Sequence, residues 1–386
     1  MLLSKRWRFL WTMLPKLDFD YGSKIKPSEY DKFVKYVDRS LALSRAPVLE
    51  TLKFKAGPRC SSEELTTWIR MGMVRHVREL EISDCSIILP KSLYTYEKLE
   101  VLKLSYVMVR DVPIDFCFAS LKSLHLVCVM YGIKEYYCKL FSSCPVLEEL
   151  VLDITEKCFS MTSFRVEIPT LQRLSILVVC NPHYHKIVIN VPSLKYLNFV
   201  DSYDNLCLFE NMPEVVEANV NVVYENPEKL LDSLPSVKRL SLCLSASMLQ
   251  HRIRFYHLLL LELCVSASGW WNLLTWMLES SPKLQVLKLC ECKEHLGTIH
   301  SDASMKGRWR GPSSDSECLM FHLHTFKWKN YNGKDKEIVA YILKNARELK
   351  TAGFSWRWCS KEEQSRRLSG LVSLPRASSS CQLILA

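Results

Sequence analysis

Glycine is scarce in this chain, with 11 residues in 386, where a share of roughly 7% would give about 27. Glycine-rich phosphate cradles therefore have little material. Neither the G-x-x-x-x-G-K-[ST] loop nor the G-x-G-x-x-G fingerprint occurs. The G-x-S-x-G elbow of serine hydrolases is missing too, so no Ser–His–Asp order can be argued. No uninterrupted apolar stretch reaches the roughly 18 residues of a membrane helix. The start, MLLSKRWRFLWTMLP, places Lys5, Arg6 and Arg8 ahead of any adequate apolar core for a secretory signal. The expected compartment is cytosol or nucleus. The 16 cysteines are then expected as thiols, most of them buried like small hydrophobes.

What the chain does have is apolar mass: 48% of residues are hydrophobic and 24% are charged. That is ample for a sizeable core and ordinary for a globular chain. The net charge of +10 is unevenly placed. From Lys306 onward 15 Lys/Arg face 7 Asp/Glu. Such a surplus suits an acidic partner or nucleic acid, and it equally suits a solvated surface, the reading preferred here.

One pattern dominates. An apolar-x-x-apolar-x-apolar hexamer begins at Leu49, Val77, Leu99, Leu121, Leu147, Leu171, Leu194, Val215, Val237, Leu258, Leu284 and Leu323. Successive starts differ by 21 to 28 residues, with one gap of 39. A period of about 20–29 residues is that of leucine-rich repeats. The alternating half of each hexamer reads as a half-buried strand. One strand and its return segment cannot bury their own apolar face, so neighbours must stack. The expected fold class is α/β: a leucine-rich-repeat solenoid, a curved parallel sheet with irregular or helical return segments, closed by an α/β C-terminal cap. At about 4.8 Å per strand, twelve strands line on the order of 50–55 Å, enough for a protein–protein interface.

The return segments carry helical signals. Ser61-Ser62-Glu63-Glu64 opens one ahead of Leu65, Trp68 and Ile69. Gly132–Ser142 and Trp270–Glu279 carry two more. Pro145, Pro169, Pro192, Pro213, Pro235 and Pro282 each fall two residues before a hexamer and end the return segment. Tyr30–Leu43 reads as an amphipathic helix, through Phe33, Val34, Val37 and Leu41, that seals the first repeat. A polar loop spans Lys293–Glu317. Beyond it the pattern predicts a strand at Leu323–Trp328, a helix over roughly Lys334–Glu348, the segment Leu349–Trp358, and a helix around Ser360–Leu371.

Residues able to do chemistry are better explained by structure. Cys290, Cys292, His295 and His300 resemble a zinc set, but Cys292 fills the Asn/Cys slot that follows a repeat strand, as Cys85 does. His183 and His185 lie in a return loop. Glu148–Glu149 and Glu362–Glu363 read as solvated charges. Trp7 and Trp11, in a basic segment, could contact membrane or nucleic acid, and packing is the preferred reading. Trp356 and Trp358 alternate as strand or cap residues. No catalytic residue, metal ligand or cofactor is expected, and no membrane contact. Outward strand positions are the candidate partner contacts: Glu81, Lys103, His125, Val151, Asn198, Ser241 and Lys288.

Both ends resemble one family. Leu3–Trp11 with Leu14-Pro15-Lys16-Leu17-Asp18-Phe19-Asp20 resembles the last part of the F-box of plant F-box/leucine-rich-repeat proteins. Glu317-Cys318-Leu319, Ala346–Lys350 and Leu374–Cys381 resemble their FBD domain, and Cys144–Leu150 is a phrase typical of the family. The resemblance implies residues 1–20 as the remaining part of an F-box and 21–292 as repeats with their capping helix. It implies 293–317 as a polar loop and 318–386 as the FBD domain. It implies a substrate receptor of an SCF-type cullin–RING ubiquitin ligase, with a protein substrate and a Skp-type adaptor as partners. Trp7, Leu10 and Trp11 would be the adaptor-side remnant. The first F-box helices have no counterpart, so adaptor docking is expected to be incomplete, and a stand-alone interaction protein is the alternative.

Overall fold

The computed structural model describes residues 10–21, 27–110, 113, 116–131, 136–155, 163–179, 186–202, 206–222, 228–244, 253–265, 269–291, 309, 311–312, 316–331, 333, 335–357 and 360–385. They fall into two compact units, Met1–Val191 and Pro192–Ala386.

The first unit is built on seven parallel strands in chain order: β1 (Lys16–Asp20), β2 (Thr51–Lys55), β3 (Glu79–Ser83), β4 (Val101–Ser105), β5 (Ser123–Val127), β6 (Glu149–Thr155) and β7 (Arg173–Val179). The second unit is built on eight: β8 (Tyr196–Asp201), β9 (Glu217–Val222), β10 (Arg239–Leu244), β11 (Leu260–Cys264), β12 (Val286–Cys290), β13 (Thr325–Trp328), β14 (Thr351–Phe354) and β15 (Gln382–Leu385). Every apolar position of the twelve hexamers is at most 2% exposed. Burying each such side chain stabilises by about 1.5–3 kcal/mol, which makes the hexamers the interior of both units.

Register is pinned by a repeated hydrogen bond. From β2 to β6 and from β8 to β13 the carbonyl just before the strand accepts two N–H groups from the next repeat. Glu50 accepts from Arg78 at 3.1 Å and Glu79 at 2.8 Å, and Gln285 accepts from His324 at 2.9 Å and Thr325 at 3.1 Å. A one-residue slip would break these bonds and turn every apolar side chain outward.

Helix α1 (Tyr30–Leu43) has the expected bounds and buries Phe33, Val37 and Leu41. Helix α2 (Ser62–Val74) starts on a capping box: Ser61 Oγ accepts from the Glu64 N–H at 3.1 Å, and Glu64 Oε2 accepts from the Ser61 N–H at 2.9 Å. The two helices are tied by Trp68 Nε1 donating to Asp38 Oδ1 at 2.7 Å and by the Tyr30 hydroxyl donating to Glu64 Oε2 at 2.7 Å. Trp68 stacks on Phe54, with centroids 5.5 Å apart, and Phe54 on Phe19 at 5.6 Å. Aromatic rings thus fill the interior at this end of the first unit. The second unit does the same around β13 and β14, where Trp328 meets Trp270 at 5.8 Å and Tyr331 at 4.7 Å. Trp356 is buried beside Phe354, a core position as its alternation suggests.

Further helices are α3 (Tyr136–Ser142), α4 (Glu228–Asp232), α5 (Trp270–Ser280), α6 (Glu317–Phe321), α7 (Lys336–Asn345) and α8 (Lys361–Val372). The structure adds three features to the expected pattern. Strand β1 precedes the first hexamer counted, and Leu14-x-x-Leu17-x-Phe19 fits that hexamer. Strand β14 continues it through Leu349, Ala352 and Phe354, all buried. Some return segments hold short parallel strands: Ser86–Ile88, Met108–Arg110 and Met130–Tyr131 in one ladder, and Ser163–Val166 with Lys186–Ile189 in another. Asp84, Tyr106 and Cys128 adopt φ of 61°, 55° and 51°. This left-handed turn sits directly before the first ladder, and each of these N–H groups extends the main sheet by one bond, for example Tyr106 to Val127 O at 2.8 Å.

Candidate partner-binding face

Parallel pairing in register turns one outward position per repeat into a row. In the first unit the middle row reads Asp18, Lys53, Glu81, Lys103, His125, Val151, Ser175. In the second it reads Asn198, Asn219, Ser241, Glu262, Lys288, Lys327, Gly353, Ile384. All seven outward residues named from the sequence fall on these rows. Glu81, Lys103 and His125 stand on adjacent strands, while Asn198 and Lys288 stand four strands apart.

Their side chains are already partnered across the sheet. Lys53 Nζ lies 2.8 Å from Glu81, Lys103 Nζ 2.6 Å from Glu79, and Lys288 Nζ 3.5 Å from Glu262. Asn219 Nδ2 donates to Asn198 Oδ1 at 2.8 Å. His125 Nε2 lies 3.3 Å from Glu149, which also accepts from Ser123 Oγ at 2.8 Å and faces Arg173 at 3.6 Å. Glu149 is therefore a bonded hub of the face. This corrects its reading as a freely solvated charge; the reason is that register brings three donors onto it from separations of 24 to 26 residues.

The electrostatics follow the geometry. Partial burial pushes the Glu79 carboxyl up, but the Lys103 hydrogen bond and charge, with Thr51, outweigh it and hold the group below its ordinary value. Glu149 behaves alike, with Ser123, His125 and Arg173 outweighing its burial. The Glu81 hydrogen bond holds the Lys53 ammonium above its ordinary value despite burial. Burial alone raises Asp153, whose Oδ1 has no partner.

The two rows belong to faces of different composition. Counting the residue before each strand and its outward positions, β8–β14 offer Lys195, Lys238, Arg239, Lys288, Lys327 and Lys350 against Glu217 and Glu262, and one residue past the strand Lys329 follows β13 as Glu291 follows β12. In the first unit cations and carboxylates alternate, as in Glu50, Arg78, Glu100, Lys122 and Glu148 at the residue before successive strands. Arg78 and Glu100 lie 3.9 Å apart there.

The remaining sequence candidates do not assemble. Cys290, on β12, donates its thiol to Glu262 Oε1 at 3.4 Å. Cys292, His295, His300, His183, His185, Trp358 and Trp7 lie outside the described residues. Among the described residues no three His, Cys, Asp or Glu side chains are placed to hold a metal ion. Cys85 is buried, and burial pushes its thiol up to about 12. Trp11 is half-buried in the short helix Leu10–Met13, whose Thr12 carbonyl accepts from the Arg45 N–H at 2.5 Å. Leu10, Met13 and Leu14 around it are 51%, 49% and 50% exposed. That apolar patch was not singled out from the sequence beyond Leu10. Among the described residues no helix is long and apolar enough to cross a membrane.

Comparisons with known proteins agree with this architecture. Residues 311–354 match the FBD family, and residues 65–209 match the family described as FBD-associated F-box protein At5g56370, LRR repeats. The chain is 59% identical over 402 residues to an Arabidopsis thaliana protein carrying the name FBD-associated F-box protein At3g50710, covering 100% of this chain and 93% of the relative. It is 42% identical to the Arabidopsis thaliana F-box/FBD/LRR-repeat protein At5g56420, covering 99% and 92%, and 40% identical to At4g26340 of the same description, covering 99% and 93%. The chain belongs to the plant family of FBD-associated F-box/leucine-rich-repeat proteins.

Proposed function

We propose that this protein recognises a protein partner through the outward face of its strands, as the substrate-recognition subunit of an SCF-type cullin–RING ubiquitin ligase. The observation that carries the reading is the pair of registered rows, with Glu81, Lys103, His125, Asn198 and Lys288 among their members. Rigid strands hold these polar side chains at fixed spacing, which suits recognition and supplies no reacting group. The adaptor side is assigned to the N-terminal end. Exposed Leu10, Met13 and Leu14 beside Trp11 offer the apolar anchor that a Skp-type adaptor would cover.

Purified Skp-type adaptor tests the ligase part. It is titrated against the chain as given, against its L10D/L14D variant, and against a form preceded by a complete F-box. Binding by the form with the complete F-box, weakened by L10D/L14D, is the expected result. Adaptor binding to none of the three would overturn the ligase role and leave a stand-alone interaction protein.

A further inference from the structure

Ion pairing on the second unit's outward face is incomplete. Its carboxylates are engaged: Glu217 accepts from Arg239 at 2.8 and 2.7 Å, Glu262 faces Lys288, and Glu291, past the end of β12, faces Arg357 at 3.7 Å. Among the described residues no carboxylate pairs with the ammonium groups of Lys238, Lys327, Lys329 or Lys350. Lys327 stands in register between Lys288, a like charge, and Gly353, which has no side chain to cover it. Like charges on neighbouring strands cost stability, and while Glu262 faces Lys288, no carboxylate among the described residues pairs with Lys327. The first unit shows that the same scaffold readily accommodates compensating acids at these positions, as in Lys53–Glu81 and Lys103–Glu79.

We infer that this face docks an acidic, extended segment of the partner protein, laid across β10–β14 with its carboxylates on Lys288, Lys327, Lys329 and Lys350. The inference rests on the outward face being the partner-binding surface. Charge complementarity selects the occupant, and the dimensions fit. Five parallel strands span about 19 Å, the reach of roughly six extended residues. Thr325 and Thr351, flanking Lys327 on the adjoining outward row, add hydroxyls able to bond carboxylates or main chain.

The probe is a set of fluorescein-labelled twelve-residue peptides of alternating Glu–Ser, Gln–Ser or Lys–Ser, with a single-stranded DNA dodecamer alongside. Binding to the full chain is read by anisotropy at about 50 mM salt. The Glu–Ser peptide is expected to bind, and K327E/K350E to weaken it about tenfold or more. K327M/K350M, which only removes charge, weakens it less. K91E/K98E makes the same charge change at exposed residues of the first unit and shifts it less than about twofold. Circular dichroism confirms folding of each variant. An equal loss in K91E/K98E overturns the inference in favour of net charge. DNA bound more tightly than the Glu–Ser peptide, and released by K327E/K350E, overturns it in favour of nucleic acid. If the Gln–Ser or Lys–Ser peptide binds instead and E81K/K103E releases it, the acidic segment fails while the binding face stands. If no outward-face variant changes any peptide's affinity, the binding face fails too.

Discussion

The two units share an interior and differ at the surface. Both stack the same apolar hexamer, buried to the same degree. On the outside, the first unit alternates charges that pair across strands, while the second leaves cations in excess of its engaged carboxylates. Interior positions answer to packing, which asks for a buried apolar side chain at the same places in every repeat. Outward positions answer to whatever meets them, and there the two units have diverged. A self-paired surface gives a partner little unspent charge, and an unpaired one gives it direction.

The shared interior gives the largest predicted effect. Leu102→Ala in the first unit and Leu287→Ala in the second should each cost about 2–5 kcal/mol by denaturant unfolding. Comparable losses would confirm that the interiors are equivalent; a loss confined to one unit would break the comparison at its base.

The next effect belongs to the first unit's turns. Tyr106 sits at φ 55°, where a β-branched residue is strained. Tyr106→Val should cost about 1–2 kcal/mol, whereas Tyr106→Gly should be close to neutral in melting temperature. A harmless valine would show that the turn relaxes freely.

Smaller still is the ion-pair ladder. Glu79 is held below its ordinary value of 4.5, so the folded state binds its proton less readily than the unfolded chain does. Its stabilisation is fully present above that ordinary value and is lost as pH falls through the lower folded value. Glu79→Gln should therefore cost below about 1 kcal/mol at pH 7, with the difference from wild type shrinking as the pH is taken progressively below 4.5. A gap that persists in acid would point to packing instead. The half-buried pair Lys53–Glu81, exchanged as K53E/E81K, should change stability by no more than about 0.5 kcal/mol. Its value is as a control, because it keeps the first unit's charge balance while reversing its pattern.

Much of this was legible in the sequence. The hexamer spacing locates β2 to β13, and the apolar stripe of Tyr30–Leu43 gives α1 its bounds. Strand β1 was hidden because Leu14–Asp20 also resembles the end of an F-box, and β14 because Ala352 makes a weak centre for a hexamer. The short return ladders are only two to four residues long, too short for any alternation to register. The left-handed turns fall on Asp, Tyr and Cys rather than glycine, so no turn signature marks them. The candidate face was legible as positions, since equal hexamer offsets must align in a parallel sheet. Its bonding was not: Glu149 is joined to Ser123, His125 and Arg173 only through register, and composition alone made it a solvated charge.

The central claim is that recognition resides on the outward strand face. A peptide taken from a display-library selection on the full chain tests it most directly, when its affinity is measured across single substitutions at Glu81, Lys103, Asn219, Lys288 and Lys327 and at the exposed return-side residues Val74, Tyr256 and Phe321. Losses confined to the strand positions, heaviest at Lys288 and Lys327, are the predicted result. Losses at Val74, Tyr256 or Phe321 with the strand positions silent would contradict it.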